Sequence, residues 1–208
     1  MLEVISIHIN KTAGKSFRCV LENNYAQNLF CINTDDSGKQ HRSLSCRPDE
    51  LANLIPSSAR ALHGHFFARD IISIADNLPI VAWIRNPVDR VVSNYFHDWN
   101  NRYTNLFIKE YILQECNINR MSKMLYGICL DKLTIGLQEN FSADVIRIGK
   151  IFGWKHLSAP MINVGTKHDV SKDMLGLIED VNHKDIELYN DLIGSSTAER
   201  PRVGVLSR

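Results

Sequence analysis

Residues 10–16 read Asn-Lys-Thr-Ala-Gly-Lys-Ser, a run in which two ammonium groups and two hydroxyls surround one glycine. Between a strand and a helix, such a run makes an anion seat, because a helix start leaves backbone N–H groups unpaired and the dipole adds partial positive charge. Gly14-Lys15-Ser16 supplies the second half of the nucleotide loop GxxxxGK[ST], but Ile9 occupies the place of the first glycine. A metal-dependent nucleotide hydrolase also needs a later strand ending in aspartate, and the clearest later strand here ends in Arg85. The loop therefore reads as a seat for an anionic group without a metal. Taken alone, the same residues are also an ordinary helix start.

A second group follows an apolar run, in Trp83-Ile84-Arg85-Asn86-Pro87-Val88-Asp89-Arg90-Val91-Val92-Ser93-Asn94-Tyr95. A guanidinium at the carboxyl end of a central strand can pair bidentately with a phosphate, and Ser93, two helical turns on, adds a hydroxyl donor. Surface ion pairing among Arg85, Asp89 and Arg90 is the other use of these residues. Leu62-His63-Gly64-His65-Phe66 forms the third group. At the end of a strand His63 and His65 share a face, and two imidazoles beside an anion seat suit proton abstraction from an alcohol. Ordinary core or surface histidines are the alternative, as are two ligands of a metal. No HxxxH pair or cysteine cluster accompanies them, so no metal site is expected. His8, His97 and the remaining histidines carry no comparable signal.

These groups need elements to hold them. Val4-Ile5-Ser6-Ile7-His8 predicts a strand, and Phe17, Val20 and Leu21 continue at helical spacing after the loop. Residues 60–66 predict a second strand, 70–75 a helical turn, and 80–84 a strand apolar on both faces, as in the middle of a parallel sheet. Val88, Val91, Val92 and Tyr95 predict a helix over 87–99. Further on, 106–130 reads as two helical pieces and 133–137 as a strand. An amphipathic helix over 142–152 is expected to be capped by Ser142 and to bury Val145, Ile148, Ile151 and Phe152. Two helices, 174–181 and 184–192, close the pattern. The polar stretches 33–45 and 163–173 read as loops, and Pro48-Asp49-Glu50 opens a short helix to about residue 54. Alternating strands and helices imply an α/β fold with a central, mainly parallel sheet flanked by helices, in one domain over residues 1–208.

With 24 Lys and Arg against 23 Asp and Glu, the formal charge of +1 argues against a dedicated nucleic-acid binder, which needs a basic surplus on one face. The longest apolar run, 80–84, is far short of the roughly 20 residues that cross a bilayer, so no membrane span is expected. The N-terminus lacks the basic-then-apolar pattern of a signal peptide. Cys19, Cys31, Cys46, Cys116 and Cys129 are scattered without a CxxC pair and read as reduced thiols. A Cys31–Cys46 disulfide would need Cα atoms within about 7 Å.

Together, His8-Ile9-Asn10-Lys11-Thr12-Ala13-Gly14-Lys15-Ser16-Phe17 and the segment from Arg85 to Tyr95 resemble the two cofactor motifs of sulfotransferases that use 3′-phosphoadenosine 5′-phosphosulfate (PAPS). The likeness is strongest to the carbohydrate sulfotransferases that include the heparan sulfate 2-O- and 6-O-enzymes. Asn10 stands where that family usually has Pro, and Lys15 where it has Thr or Ser. Weaker likeness continues through Ile135-Gly136-Leu137-Gln138-Glu139-Asn140-Phe141, Phe152-Gly153-Trp154 and Asn163-Val164-Gly165-Thr166-Lys167. The resemblance implies the P-loop-like sulfotransferase fold. It implies that Lys11, Thr12, Ala13, Gly14, Lys15, Ser16 and Phe17 hold the 5′-phosphosulfate. Arg85 and Ser93 would hold the 3′-phosphate, with Lys167 closing over it. From the His-Gly-His pattern of the 2-O-enzyme it implies His65 as base and His63 as its helper, while Lys11 stabilises charge on the departing phosphate oxygen.

The activity this implies is transfer of a sulfuryl group from PAPS to an acceptor hydroxyl, with a glycan or glycolipid as acceptor. A small-molecule kinase using ATP and Mg²⁺, and a non-catalytic nucleotide-binding module, are the competing readings. Acceptor pockets are built from loops, so the motifs do not name the acceptor. Trp99 and Tyr103, able to stack on a sugar, and the 33–45 loop are the candidate contacts. Animal relatives carry an N-terminal Golgi anchor, whereas this chain starts almost at its first strand. A cytoplasmic, bacterial-type protein or a trimmed domain is the expectation, with oligomeric state open.

Overall fold

Five parallel strands make one sheet in the computed structural model, which describes residues 1–32, 52–71, 73–75, 78–128, 133–158 and 168–194. They are β1 (Val4–Ile7), β2 (Leu29–Ile32), β3 (Ala61–Gly64), β4 (Ile80–Ile84) and β5 (Leu133–Leu137), in the order β2-β3-β1-β4-β5. All four adjacent pairs run parallel. Every residue of β1, β3, β4 and β5 is buried, which is why these segments read as continuous apolar runs rather than alternating ones.

The helices are α1 (Gly14–Tyr25), α2 (Ala68–Ile71), α3 (Pro87–Asn100), α4 (Ile108–Ile112), α5 (Arg120–Leu125), α6 (Phe141–Phe152), α7 (Lys172–Val181) and α8 (His183–Gly194). Alternate strand residues feed two cores. Ile5, Ile7, Leu62, Ala82 and Ile84 pack with Ile71 of α2, Met121 and Met124 of α5 and Leu188 of α8. On the opposite face Val4, Ala61, Val81 and Trp83 meet Phe17 and Leu21 of α1 and Phe141, Val145 and Ile148 of α6. A third, smaller core joins α3, α4 and α7 through Val91, Ile112 and Ile178. Gly136 is needed where it stands, since a Cβ there would lie 2.6 Å from the Trp83 ring.

Asp185 is fully buried at the start of α8, where its carboxylate accepts from the Met121 and Ser122 N–H groups and from the Ser122 hydroxyl. It thereby satisfies the amino end of α5 and gives the buried Arg90 of α3 a nearby opposite charge.

β1 sits at the centre, with β3 on one side and β4 on the other. The chain leaves β1 for the edge strand β2, returns through β3, and crosses to β4. Strand order thus reverses about β1, and in open parallel sheets ligands bind outside the carboxyl ends of the strands at such a point.

Most predicted elements stand within a residue or two, and four readings change. β2 has no counterpart in the sequence reading, because Leu29-Phe30-Cys31-Ile32 lies at the sheet edge, half-buried, without the alternation that marks a strand. The turn predicted over 70–75 starts earlier, as α2, because the Asp70 carboxylate reaches back to accept from the Phe67 N–H at 3.1 Å. Ser142 does not cap α6: a 3₁₀ turn over Gln138–Asn140 runs straight into the helix, which begins at Phe141. Ile151 is 56% exposed instead of joining the apolar side. The loop 33–45, Pro48, Asp49 and Glu50, Cys46, Cys129 and Lys167 lie outside the described residues. Cys19 and Cys116 are free thiols. Among the described residues no helix is long and apolar enough to cross a membrane.

Candidate active site

The loop after β1 is bent by two left-handed residues, Lys11 at φ 67° and Ala13 at φ 70°, on either side of Thr12. Neither is glycine, so each costs of order 1 kcal/mol, held in place by what surrounds it. Thr12 is buried and its hydroxyl donates to the Ile9 carbonyl at 2.8 Å, bracing the bend from inside. Left-handed residues alternating in this way turn successive N–H groups toward one concavity, the geometry of an anion nest. Phe17 N–H bonds the Ala13 carbonyl at 3.0 Å, so the N–H groups ahead of it precede the first internal turn of α1.

The predicted loop residues divide by task. Lys11 is half-buried and Lys15 exposed on the first turn of α1, with Ala13 and Gly14 forming the bend and helix start. Ser16 is buried beside them. Phe17 points the other way, its ring 5.2 Å from Trp83 and 5.8 Å from Trp154 in the core. It supports the loop from beneath.

Arg85 follows β4 directly, with Nη1 3.5 Å from the Lys11 carbonyl and Nε buried without a partner. Burial lowers the Lys11 pKa, the nearby Arg85 and Lys15 lower it further, and Asp98 partly offsets them. Two cations forced this close to one another in a half-buried crevice favour an anion between them. The Asn86 side chain caps α3 through the Asp89 N–H, with Pro87 at the first helical position, while Glu139 accepts from the Asn86 N–H at 2.7 Å. Ser93 stands half-buried two turns along α3. Asp98, which the sequence reading did not single out, accepts from the Tyr111 hydroxyl at 2.5 Å, and Asn94 bonds the same hydroxyl. The i, i+4 spacing of Asn94 and Asp98 was the available signal.

His65 lies just past β3, half-buried, with Nδ1 2.6 Å from the His8 carbonyl oxygen. A carbonyl only accepts, so Nδ1 carries the hydrogen and Nε2 keeps the lone pair. Burial holds His65 below the ordinary imidazole range, with Arg120 adding to the effect and the His8 carbonyl opposing it. It is thus neutral at pH 7, with its basic nitrogen identified. His63 is 1% exposed, with Nδ1 2.9 Å from the Ser6 hydroxyl and Nε2 unpartnered. The expectation that His63 and His65 share a side holds, but His8 stacks against both, at 4.0 Å from His65 and 5.0 Å from His63. The sequence reading gives His8 no role. No sequence signal marks it, since its place depends on the register of the sheet: the parallel pairing Ile7↔Gly64, continued by one residue, sets His8 against His65. Among the described residues no group of three or more His, Cys, Asp or Glu side chains is arranged to hold a metal.

The family model described as "Sulfotransferase family" matches residues 2–134, which span the anion loop, both histidines, Arg85 and Ser93. The chain belongs to the sulfotransferase family. Among solved structures, a sulfotransferase from Alicyclobacillus acidocaldarius superposes with a TM-score of 0.56 at 14% identity, covering 97% of this chain and 100% of that one. A mouse sulfotransferase, SULT7A1, solved in complex with PAP, gives a TM-score of 0.43 at 16% identity over 89% of this chain and 64% of that one. No curated protein sequence matches the chain. The sulfotransferase carries the P-loop-like fold, and its family transfers sulfuryl groups from PAPS. The kinase and non-catalytic readings give way to a sulfotransferase enzyme. The unpartnered Arg85 Nε and the crowded Lys11 ammonium fit a bisphosphate donor.

The buried imidazoles also set an acid limit on the sulfotransferase. Burial pushes His63 down to about 3, and His8 well below its usual range. Between pH 6.5 and that value the unfolded chain binds a proton that folded His63 refuses, so stability falls as pH drops, by about 1.4 kcal/mol per pH unit for this group. Thermal melts from pH 8 to pH 4 should show Tm falling below pH 6.5. A Tm that rose over that window would contradict the buried neutral state.

Proposed function

We propose that this sulfotransferase acts on a hydroxyl of a glycan or glycolipid, that its nearest functional kin are the heparan sulfate 2-O- and 6-O-enzymes, and that residues 1–208 work as one domain. The supporting observation is the meeting of three loops at adjacent strand ends: the nest of residues 11–16 after β1, His65 after β3 and Arg85 after β4. When bound, PAPS supplies the sulfuryl group and a phosphate leaving group.

The chain's own residues do the rest. Lys11 and Lys15, with the N–H groups of the nest and the Ser16 hydroxyl behind them, hold the phosphosulfate end, Thr12 bracing the bend through its bond to the Ile9 carbonyl, and Lys11 stabilises the negative charge that grows on the departing oxygen. Arg85 and Ser93 hold the 3′-phosphate, Arg85 through a planar fork suited to two phosphate oxygens. Lys167 is assigned to the same phosphate by sequence likeness alone. His65 Nε2 takes the proton of the acceptor hydroxyl. His63, buried behind the stack, supports rather than touches the reacting atoms.

An open cleft of about 540 Å³ is lined by Trp99, Arg102, Tyr103, Thr104 and Asn105. Trp99 is 44% and Tyr103 50% exposed, so both rings offer faces on which a sugar can stack. We assign this cleft to the acceptor. The family's donor chemistry and the glycan acceptor are tested separately. Calorimetry should show PAP binding without metal and more tightly than ATP with Mg²⁺, and Arg85→Ala should weaken PAP by about 10–100-fold, the worth of a charged hydrogen-bonded pair. Preference for ATP with Mg²⁺, or an unaffected Arg85→Ala, would overturn the site assignment. Radiolabelled sulfuryl transfer to heparosan, chondroitin and a glycosphingolipid, against simple phenols and aliphatic alcohols, decides the acceptor class.

A further inference from the structure

Three independent contacts converge on His8, a residue outside the catalytic assignments above. Its carbonyl oxygen accepts the His65 Nδ1 hydrogen at 2.6 Å. Its ring lies nearly parallel to that of His65, 24° apart at 4.0 Å between centroids, with His63 on the stack at 5.0 Å. Its Cδ2 and Nε2 edge fills the place that a Cβ on Gly14 would take, so the ring sits directly beneath the first residue of α1. The backbone is fixed as well, since His8 N–H donates to the Gly64 carbonyl at 2.8 Å.

We propose that the His8 side chain is a positioning residue for sulfuryl transfer: its planar ring is the spacer that holds the His65 imidazole and the cofactor loop at one fixed separation. The inference rests on the reading of His65 as the base. It also explains the pairing of a ring at position 8 with glycine at position 14, because any side chain on the helix start would displace the spacer. The carbonyl contact could be made by any residue, so the side chain's part is the stack and the floor of the loop. A misplacement of about 1 Å between base and donor costs of order 100-fold in rate, which sets the scale of the effect.

The charged and titratable groups around this stack are His63 and His65 from β3 and its end, Lys15 and Arg18 from α1, and Arg120 from α5. Lys15, Arg18 and Arg120 are cationic, so the stack is kept neutral, and removal of the His8 ring admits water to the buried side of His65. The base should then titrate closer to an ordinary histidine, that is, upward.

The experiment uses the full chain, labelled with ¹⁵N-histidine and saturated with PAP, in wild type, His8→Ala and His8→Phe. Wild-type His65 should show the Nδ1-protonated tautomer and titrate below 6.5. In His8→Ala the tautomers should mix and the titration move up toward that of an ordinary histidine, while kcat with the best acceptor from the panel falls by about 10–100-fold and PAP affinity changes less. His8→Phe, which keeps the planar ring and discards its nitrogens, should restore both the signature and most of kcat. His8→Leu, bulky but not planar, replaces alanine if alanine does not fold, and should behave as alanine would. An unchanged His65 signature in His8→Ala or His8→Leu would overturn the proposal, and so would a folded His8→Phe as impaired as alanine. The spectroscopic arm needs no acceptor. A failure of the His65 base assignment appears as unaltered transfer in His65→Ala, which is a different result.

Discussion

Alanine in place of His65 is expected to lower kcat for sulfuryl transfer by about 10²–10⁴-fold, the usual worth of a positioned general base. PAP affinity should remain near the wild-type value, because the role proposed for His65 is proton removal from the acceptor hydroxyl and not anion binding. Glutamine should fare no better than alanine: it can donate to the His8 carbonyl but cannot take a proton. The direction of the pH dependence follows from the site. The base works only when neutral, and burial holds its pKa below 6.5. The rate therefore stays at its plateau near pH 7 and declines as pH falls through that lowered value. A discontinuous transfer assay paired with PAP calorimetry checks both halves. Retention of kcat within about tenfold, with PAP bound normally, would remove His65 from the base role.

Lys11→Met should lower kcat by about 10²–10³-fold, the scale seen when one donor to a developing oxyanion is removed. Methionine keeps most of the stem and leaves the left-handed backbone at φ 67° to be met by another unbranched side chain. The stability consequence has the opposite sign. Burial and the neighbouring Arg85 and Lys15 already push the Lys11 pKa down, so deleting this ammonium relieves crowding in the ligand-free protein. Melting of the apo protein should be unchanged or slightly higher, whereas the stabilisation that PAP confers should shrink. A lysine kept for structure would show the reverse, with lower apo stability and intact turnover. Thermal shift with and without PAP, beside the transfer assay, separates these cases.

The two roles are held apart by the sheet. Lys11 and His65 belong to loops after neighbouring strands, and the His8 carbonyl ties the second loop to the first. Substitutions that loosen β1 against β3 should thus disturb the base and the anion seat together, although neither residue is changed. Gly64 shows the tolerance: a Cβ there would overlap the Ile32 carbonyl of β2.

Local chemistry was readable without the fold. The loop of residues 10–16, the Arg85 to Ser93 segment and the His63-Gly64-His65 run stand out as candidates because anion binding and proton transfer each require particular side chains at short spacing. The strands β1, β4 and β5 and the helices α3, α7 and α8 were readable for a similar reason, since propensity and amphipathic period are properties of neighbours along the chain. β2 was not, because a half-buried edge strand of four apolar residues shows no alternation. The work of single loop residues was hidden too: Phe17 turns into the core and Thr12 into the bend, and only packing decides that. Lastly, no local signal says which strands become neighbours. The order β2-β3-β1-β4-β5 is chosen by burying two apolar faces at once, and that choice places His8 against a histidine 57 residues away. The sequence by itself determined which groups are candidates for the chemistry, and the tertiary structure decided that their loops follow adjacent strands, because strand order is set by burial rather than by neighbours along the chain.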